Sequence, residues 1–359
     1  MSTATGKGAT GHPPTRMRRE IEEQPEALER TLDALRPAVA EVRALARDCR
    51  QVLFIARGSS DNAAVYGQYV ATVRGGRLGT LASPSVATAY RATPDLGGVL
   101  AVAVSQSGAT EEIVETMEWA RGLGARTVGV TNVADSPLAT RADVALVTRA
   151  GVERAVPATK TYTTQLAAMA VLGLALADDD GALAGLEAVP EAVDRALGTA
   201  EAAEELAGRL TYLDRLVVAG RGYTASTALE IALKLKEACY VAAAGLSYAD
   251  LLHGPIAVVD AVTPALLVAA GEGPVLPGLT SLAARVTSAG AHVYGIGGDE
   301  GFARACQGCL PGTDLPEHLA PIALIVPGQL LVESLARAKG IDPDAPRGLR
   351  KVTQTDVAR

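Results

Sequence analysis

The chain has 359 residues and 48% of them are hydrophobic, so each half is long enough and apolar enough to bury a core of its own. Its formal net charge is −7, and its one short basic run, Arg16 to Arg19, argues against a nucleic-acid surface. No apolar run is long enough to cross a bilayer, and the polar residues 1–16 have no signal-peptide pattern. We therefore expect a cytoplasmic protein that binds neither nucleic acid nor membrane.

The N-terminal third begins with a polar stretch and then alternates apolar runs with amphipathic ones. Residues 1–16 read as a disordered leader, and leucines at 28, 32 and 35 predict an N-terminal helix over 17–48. From residue 49, four apolar runs are candidate strands, at 51–56, 99–104, 127–130 and 143–147. Because helix-length stretches separate them, they predict right-handed crossovers and a parallel sheet that is covered on both faces.

The second half repeats this order. Residues 216–222 match 52–58 after 164 positions, and residues 290–295 match 124–129 after 166 positions. Runs at 265–270 and 323–326 take the places of the second and fourth strands. So long a period indicates duplicated domains instead of a solenoid. We predict an α/β fold of two tandem lobes, 49–185 and 186–340, each a flavodoxin-like doubly wound parallel sheet. A linker lies near 178–190, and a tail covers 341–359.

Two loops of the first lobe follow predicted strands and are rich in hydroxyl groups. They are Gly58-Ser59-Ser60 and Ser105-Gln-Ser-Gly-Ala-Thr110. Ligands of doubly wound sheets bind beyond the carboxyl ends of the strands, where helix N-termini offer free N–H groups to a phosphate. Serines also cap helices, which explains Ser59 by itself. The denser second loop favours phosphate binding, and the absence of GxGxxG and of a Walker lysine disfavours a dinucleotide or ATP.

A charged segment of the second lobe has two interpretations. Glu230, Lys234 and Glu237 share one helical face, which an exposed ladder of salt bridges would explain as well as a site would. His253 precedes Gly254-Pro255, where a structural role is the simpler interpretation. The pair Cys306 and Cys309 has CxxC spacing without a second pair, and we expect two reduced thiols there. Neither a metal nor an organic cofactor is predicted.

Several motifs together resemble the sugar isomerase (SIS) domain family, and more narrowly the isomerase half of glucosamine-6-phosphate synthases. They are the two serine-containing loops, the duplication, and the stretches 20–25, 158–165, 232–237, 253–255 and 346–351. The resemblance covers residues 17 to about 355. It implies an aldose–ketose isomerase of sugar phosphates whose active site is shared between the subunits of a homodimer.

The family's functional positions fall on particular residues of this chain. The sugar-phosphate contacts fall on Ser60, Ser105, Gln106, Ser107 and Thr110. Val156, Ala158 and Lys160 fall on the loop that closes over the sugar, and Lys234 is also expected to bind the substrate. The resemblance implies that Glu237 is the base that moves a proton between C1 and C2, and that His253 of a neighbouring subunit opens the sugar ring. It places Lys351 near the sugar carbonyl, where a lysine can stabilise enediol oxygens or form a Schiff base.

Two departures narrow the expected function. Glutamine-dependent synthases have an N-terminal glutaminase whose cysteine follows the initiator methionine, whereas this chain has Ser2 there and no such domain, so we expect no ammonia from glutamine. Stretches at 57–61, 84–87, 149–151, 230–234 and 348–355 look most like SIS-type glucosamine-6-phosphate deaminases. Conversion of glucosamine 6-phosphate to fructose 6-phosphate and ammonia is therefore the first hypothesis. A deaminase of another amino-sugar phosphate, an isomerase fed by a separate glutaminase, and a sugar-phosphate sensor are the alternatives.

Overall fold

The first lobe is built on a five-stranded parallel sheet. In the computed structural model, which describes residues 14–351, its strands are β1 (Gln51–Ile55), β2 (Leu78–Leu81), β3 (Val99–Val104), β4 (Arg126–Thr131) and β5 (Val144–Val147). The order across the sheet is β2-β1-β3-β4-β5, and every neighbouring pair is parallel. The central strand β3 is buried along its whole length, as expected for a sheet with helices on both faces.

The second lobe repeats that sheet strand for strand. Its strands are β6 (Arg215–Gly220), β7 (Ala242–Ser247), β8 (Ala265–Ala269), β9 (Val293–Gly297) and β10 (Gly308–Leu310). They form an all-parallel sheet in the order β7-β6-β8-β9-β10. Both lobes therefore have the 2-1-3-4-5 order of flavodoxin-like sheets, which confirms the predicted fold class.

Sixteen α-helices cover the sheets within residues 14–351. Those up to the end of the first lobe are α1 (Arg16–Glu22), α2 (Gln24–Leu35), α3 (Ala38–Leu45), α4 (Ser59–Val73), α5 (Ser85–Thr88), α6 (Glu111–Gly122), α7 (Pro137–Arg141), α8 (Lys160–Ala177) and α9 (Asp180–Ala184). The others are α10 (Val189–Leu197), α11 (Ala200–Arg209), α12 (Ala225–Cys239), α13 (Tyr248–Leu252), α14 (Leu276–Ser288), α15 (Glu300–Ala305) and α16 (Ala320–Ala338). Short 3₁₀ turns lie at Gly185–Ala188, Gly222–Thr224 and Pro255–Val258.

The N-terminal segment differs from the single helix predicted over 17–48. It forms α1, α2 and α3, because Pro25 lies in the first turn of α2 and Pro37 immediately precedes α3. Proline has no N–H to give and suits a helix start better than a helix interior. Helix α1 already begins at Arg16, capped by the Thr15 hydroxyl, so the predicted leader is too long at its C-terminal end. Its residues 1–13 lie outside the described part.

The run 323–326, predicted as the fourth strand of the second lobe, is part of α16 instead. A short apolar run cannot be told from a segment of a buried helix by periodicity, and α16 is buried almost throughout. The strand in that place is β10, an edge strand of three residues. Within residues 14–351, α16 is the one helix long and apolar enough to cross a membrane, and 94% of that stretch is buried inside the protein. It is a core helix.

The two lobes meet through the helices that follow the first strand of each sheet. Helix α4 packs on α8 and on α12, and α12 packs on α16. The α4–α8 contact is close, because a Cβ on Gly173 would lie 2.3 Å from Val70 Cγ1. One hydrophobic core runs through both lobes. This packing sets the N-terminus of α4 beside the middle of α12.

Candidate active site

A cavity of about 340 Å³ opens at the carboxyl ends of β1 and β3, where the strand order of the first sheet reverses. Its lining combines both predicted loops, the loop before α8, helix α12 and the C-terminal tail. The lining residues are Arg57, Gly58, Ser59, Ser60, Val104, Ser105, Gln106, Ser107, Thr110, Ile113, Glu153, Val156, Ala158, Thr161, Gln165, Lys234, Glu237, Leu349, Arg350 and Lys351. Most of the predicted site residues therefore share one cavity.

The loop after β3 is held in shape by its own hydrogen bonds. The hydroxyls of Ser105 and Thr110 lie 3.2 Å apart, and the Gly108 N–H donates to the Ser105 carbonyl. Gly108 has a φ of 61°, and a Cβ there would lie 2.1 Å from the Ser136 Oγ, so only glycine fits. Helix α6 begins immediately after Thr110. The loop thus presents hydroxyls and a helix N-terminus to the cavity, which suits an anion.

Arg57 adds a positive charge at the edge of the two hydroxyl-rich loops, 58–60 and 105–110. It lies two residues after the end of β1, and its guanidinium makes two hydrogen bonds to Glu112, at 3.0 and 3.1 Å. Glu112 lies in the first turn of α6 and its side chain is buried. Such bidentate pairing fixes the orientation of an arginine. Arg57 had no predicted role, since it was noted only as part of the stretch 57–61.

The charged face of α12 is buried, so the interpretation of an exposed salt-bridge ladder is wrong. The side chains of Glu230 and Lys234 are 0% and 1% exposed. The Lys234 Nζ donates to the Glu237 carboxylate and lies 3.5 Å from the Glu230 Oε1. Asn62, in the first lobe, donates to the other Glu230 oxygen at 2.7 Å. The α4–α12 contact removes this face from solvent.

Burial and pairing act in opposite directions on these charges. Burial raises the pKa of Glu230, and the neighbouring Lys234 and the Asn62 amide offset it only in part. Burial alone would lower the pKa of Lys234, but Glu230 and Glu237 outweigh it and raise that pKa. Lys234 is thus held as an ammonium between two carboxyl groups. It donates directly to Glu237, which fixes the carboxylate at the cavity wall.

The loop before α8 brings a second acidic group to the cavity. Glu153 is fully buried and accepts hydrogen bonds from the N–H groups of Thr159 and Thr161, at 2.9 and 3.1 Å. The Lys351 Nζ pairs with its Oε2 at 2.5 Å. Burial would raise the pKa of Glu153, but Lys351 and these hydrogen bonds outweigh it and lower that pKa. Glu153 was not predicted, because it stands alone among loop residues with no motif around it.

Two predicted residues lie outside the cavity. Lys160 begins α8 with its side chain buried, and its Nζ is paired with Glu23 on the neighbouring N-terminal segment. The structure therefore gives it a place in packing and no contact with the cavity. His253 ends α13 and is exposed, away from the cavity of its own chain. Val156 and Ala158, from the same loop as Glu153, do line the cavity.

Gln165 on α8 is another cavity residue for which no role was predicted. Its side chain lines the cavity and is almost fully buried, and its Oε1 accepts no hydrogen bond from the described residues. A buried amide oxygen of this kind is a ready acceptor for a ligand hydroxyl. The run Thr163-Thr164-Gln165, which the resemblance singled out, was the available signal.

No group of three or more His, Cys, Asp or Glu residues between 14 and 351 is arranged to hold a metal ion. Cys306 and Cys309 are free thiols. Burial raises their pKa values to about 12 and about 11, so both remain protonated and weakly reactive at neutral pH. The charged side chains that line the cavity are Arg57, Glu153, Lys234, Glu237, Arg350 and Lys351.

In the first lobe, a hydroxyl-rich loop lies at the switch point of a doubly wound sheet. Helix α12 of the second lobe brings a buried lysine–carboxylate set to the same cavity. The SIS domain family matches residues 45–175, and the chain belongs to that family. A solved structure of a proposed phosphosugar isomerase from Silicibacter pomeroyi DSS-3 is 35% identical, with a TM-score of 0.83, over 92% of this chain and 100% of the other.

The aminotransferase relatives are longer proteins. The glutamine–fructose-6-phosphate aminotransferase (isomerizing) of Aeropyrum pernix is 35% identical over 358 residues, covering 95% of this chain and 57% of the relative. The chain thus spans little more than half the length of that relative. The C-terminal domain of the glucosamine–fructose-6-phosphate aminotransferase of Francisella tularensis is 26% identical with a TM-score of 0.85, over 94% of this chain and 100% of the domain. The similarity to the Francisella protein therefore lies in its C-terminal domain, and the chain is similar to enzymes named as a phosphosugar isomerase and as isomerizing aminotransferases.

Proposed function

We propose that the protein is a glucosamine-6-phosphate deaminase, which converts glucosamine 6-phosphate and water to fructose 6-phosphate and ammonia. The observation that supports this most is the single cavity that joins an anion-binding loop in one lobe to Glu237 and Lys351. A phosphate at the loop would direct the sugar carbons towards the two groups that an aldose–ketose shift requires. No metal or organic cofactor enters the proposal.

The chemistry needs a proton moved between neighbouring carbons. Once the ring is open, the Glu237 carboxylate removes the proton at C2 and returns it to C1, which leaves an imine at C2. Water adds to that imine, ammonia leaves, and the ketone of fructose 6-phosphate remains. Lys234 holds the Glu237 carboxylate towards the cavity, and it carries the positive charge that offsets the buried Glu230.

The phosphate is assigned to the two loops and to Arg57. The side chains of Ser60, Ser105, Gln106, Ser107 and Thr110 border the same end of the cavity, beside the N-termini of α4 and α6. Hydroxyl donors, backbone N–H groups and helix dipoles hold a dianion there. Val156, from the loop before α8, borders the sugar portion.

Ring opening is assigned to His253 of a second subunit. In its own chain this histidine is exposed and outside the cavity, beside apolar residues that are also exposed, such as Val258 and Val262. A homodimer that covers this patch would remove apolar surface from water and could bring the histidine to the partner's cavity. Mixing His253→Ala with Glu237→Gln tests this, because hybrid dimers regain one complete site if the histidine crosses between subunits.

The decisive experiment follows ammonia and fructose 6-phosphate from purified protein supplied with glucosamine 6-phosphate. Equal amounts of the two products, formed at a rate proportional to enzyme, are expected. Galactosamine 6-phosphate and fructosamine 6-phosphate, run in parallel, identify the sugar preference. Fructose 6-phosphate without ammonia, or neither product from any of the three, would contradict the proposal.

A second candidate is synthesis of glucosamine 6-phosphate from fructose 6-phosphate with ammonia from a separate glutaminase. It is favoured by the A. pernix relative, an isomerizing aminotransferase of which this chain matches the isomerising part. Incubation with fructose 6-phosphate and ammonium chloride distinguishes the candidates. Net formation of glucosamine 6-phosphate at millimolar ammonium, faster than the breakdown reaction, would favour synthesis.

A further inference from the structure

The C-terminal tail reaches the cavity through two attachments. Near its start, the Arg347 N–H donates to the Tyr240 hydroxyl at 2.8 Å, and the Arg347 guanidinium lies 4.2 Å from the centre of the Tyr240 ring. Near its end, Lys351 pairs with Glu153. Tyr240 directly follows α12, the helix that carries Glu237. The tail therefore spans from the end of the Glu237 helix to the loop that carries Glu153.

The Glu153 carboxylate is fixed without the tail. Its Oε1 accepts from the N–H groups of Thr159 and Thr161, and its Oε2 accepts from the Thr161 hydroxyl at 2.6 Å. These donors surround the N-terminus of α8, an 18-residue helix whose dipole also favours a negative charge. Within residues 14–351, Lys351 is the one cation that forms a salt bridge with it. A buried carboxylate in a fixed place thus determines where the lysine ammonium lies.

We propose that Glu153 is a positioning residue that places the Lys351 ammonium in the active site, with Tyr240 guiding the tail towards it. This rests on the proposed function, in which Lys351 acts at the sugar carbonyl. An ammonium has three donors, and the pair with Glu153 uses one of them. The others can reach the oxygen on which charge develops during the proton shift. Glu153 therefore acts on the reaction through Lys351, without moving a proton of its own.

A double-mutant cycle tests whether Glu153 acts through Lys351. Glu153→Gln keeps the shape of the side chain and removes the charge, and we expect kcat to fall about tenfold or more, since small misplacements of a reacting group cost that much. KM should stay within about twofold of the wild-type value, because the two hydroxyl-rich loops that are proposed to bind the phosphate are unchanged. In a Lys351→Met background, the same substitution should change kcat little. Equal losses of kcat in both backgrounds would overturn the proposal.

A second measurement does not depend on turnover. Brief treatment with an acylating reagent, followed by peptide mass spectrometry, reports how accessible the Lys351 amine is. We expect Lys351 in Glu153→Gln to react several times faster than in the wild type, while Lys339, which is bonded to the carbonyls of Thr211 and Leu213, reacts equally in both. Tyr240→Phe, which removes only the hydroxyl, should raise the reactivity of Lys351 to a smaller degree.

These outcomes separate the two proposals. Unchanged Lys351 reactivity in a Glu153→Gln protein with a native circular dichroism spectrum would overturn the positioning role. If Glu153→Gln fails to fold, Glu153→Asp keeps the charge on a shorter side chain. It should then show intermediate reactivity and a kcat between those of the wild type and Lys351→Met, and a wild-type value of both would overturn the role. Altered reactivity without turnover of any amino-sugar phosphate would instead contradict the proposed function alone.

Discussion

The two lobes have the same strand order, yet their switch points are chemically opposite. In the first lobe, the loops after β1 and β3 present hydroxyls to an open cavity. In the second, the loop after β8 contains Glu272 and Gly273, and a Cβ on Gly273 would lie only 2.4 Å from the Glu317 carboxyl carbon. Glu317 thus packs where the first lobe leaves room for a ligand. A carboxylate there repels a phosphate and occupies its space.

This difference shows that the two copies of the duplicated fold contribute different groups to one cavity. The second lobe contributes the C-terminal half of α12, with Lys234 and Glu237, to a cavity centred on the first lobe. In the proposed reaction, the first lobe binds the phosphate and the second supplies the acid/base group. Changes in the first lobe's loops should therefore act on binding, and changes on α12 should act on turnover.

The largest effect is expected on α12. Glu237→Gln should lower kcat by about a thousandfold or more, because the amide cannot accept the C2 proton, while the dissociation constant for the sugar phosphate changes little. Ammonia release and calorimetric binding measure the two quantities. Glu300→Gln, an exposed site on α15, is the matched control and should behave as the wild type. A kcat within a few-fold of the wild type would remove Glu237 from the mechanism.

Next in size is the loss of hydroxyls from the first lobe. The double variant Ser107→Ala with Thr110→Val should raise KM about a hundredfold or more, since each of the two hydrogen bonds to a charged group is worth about 1.5–3 kcal/mol. The kcat at saturation should fall much less. Ser281→Ala, on α14 in the second lobe, provides the control. If the control raised KM as much, the division between the lobes would be wrong.

A smaller effect is expected from Arg57→Gln. It removes a positive charge from the phosphate end and the bidentate partner of the buried Glu112. We expect KM to rise several-fold, and to depend less on ionic strength than in the wild type, because part of the charge attraction is gone. Steady-state kinetics from about 20 to about 300 mM salt, over which the Debye length falls from about 20 Å to about 6 Å, reports this. An unchanged KM and salt dependence would leave Arg57 a purely structural role.

The smallest effect concerns Glu317. Burial, and then Glu272, raises the pKa of Glu317, so the folded state favours the protonated carboxyl. The stability it contributes is present below its ordinary pKa and is lost as pH rises through the raised value. Glu317→Gln should therefore stabilise the protein above that value by about 0.5 kcal/mol or less, given its partial exposure. Thermal melts at pH 4 and pH 8 should differ from the wild type only at pH 8.

Local patterns were enough to predict the fold class and to select the two hydroxyl-rich loops that line the cavity. A strand, a hydroxyl-rich loop and a helix follow one another within about a dozen residues, and the repeat shows the duplication. The state of Lys234 was not predictable in this way. An i, i+4 charge pattern looks the same on an exposed or a buried helix. Here the face is buried because α4 packs on it, and Asn62 of α4, which bonds to Glu230, is 168 residues away in the sequence. Glu153 was missed for the same reason, since its partner Lys351 is 198 residues away.

The hydrogen bond between Asn62 and Glu230 has a consequence for how the molecule can be divided. It joins the first turn of α4 to the middle of α12. The same two helices also contribute residues to the cavity lining, so the candidate site lies at the joint between the lobes. The first lobe has a complete sheet and both hydroxyl-rich loops, but without the second lobe the Asn62 amide would lose its Glu230 partner. The proposed reaction draws on both lobes, so we expect that neither lobe is active when expressed alone.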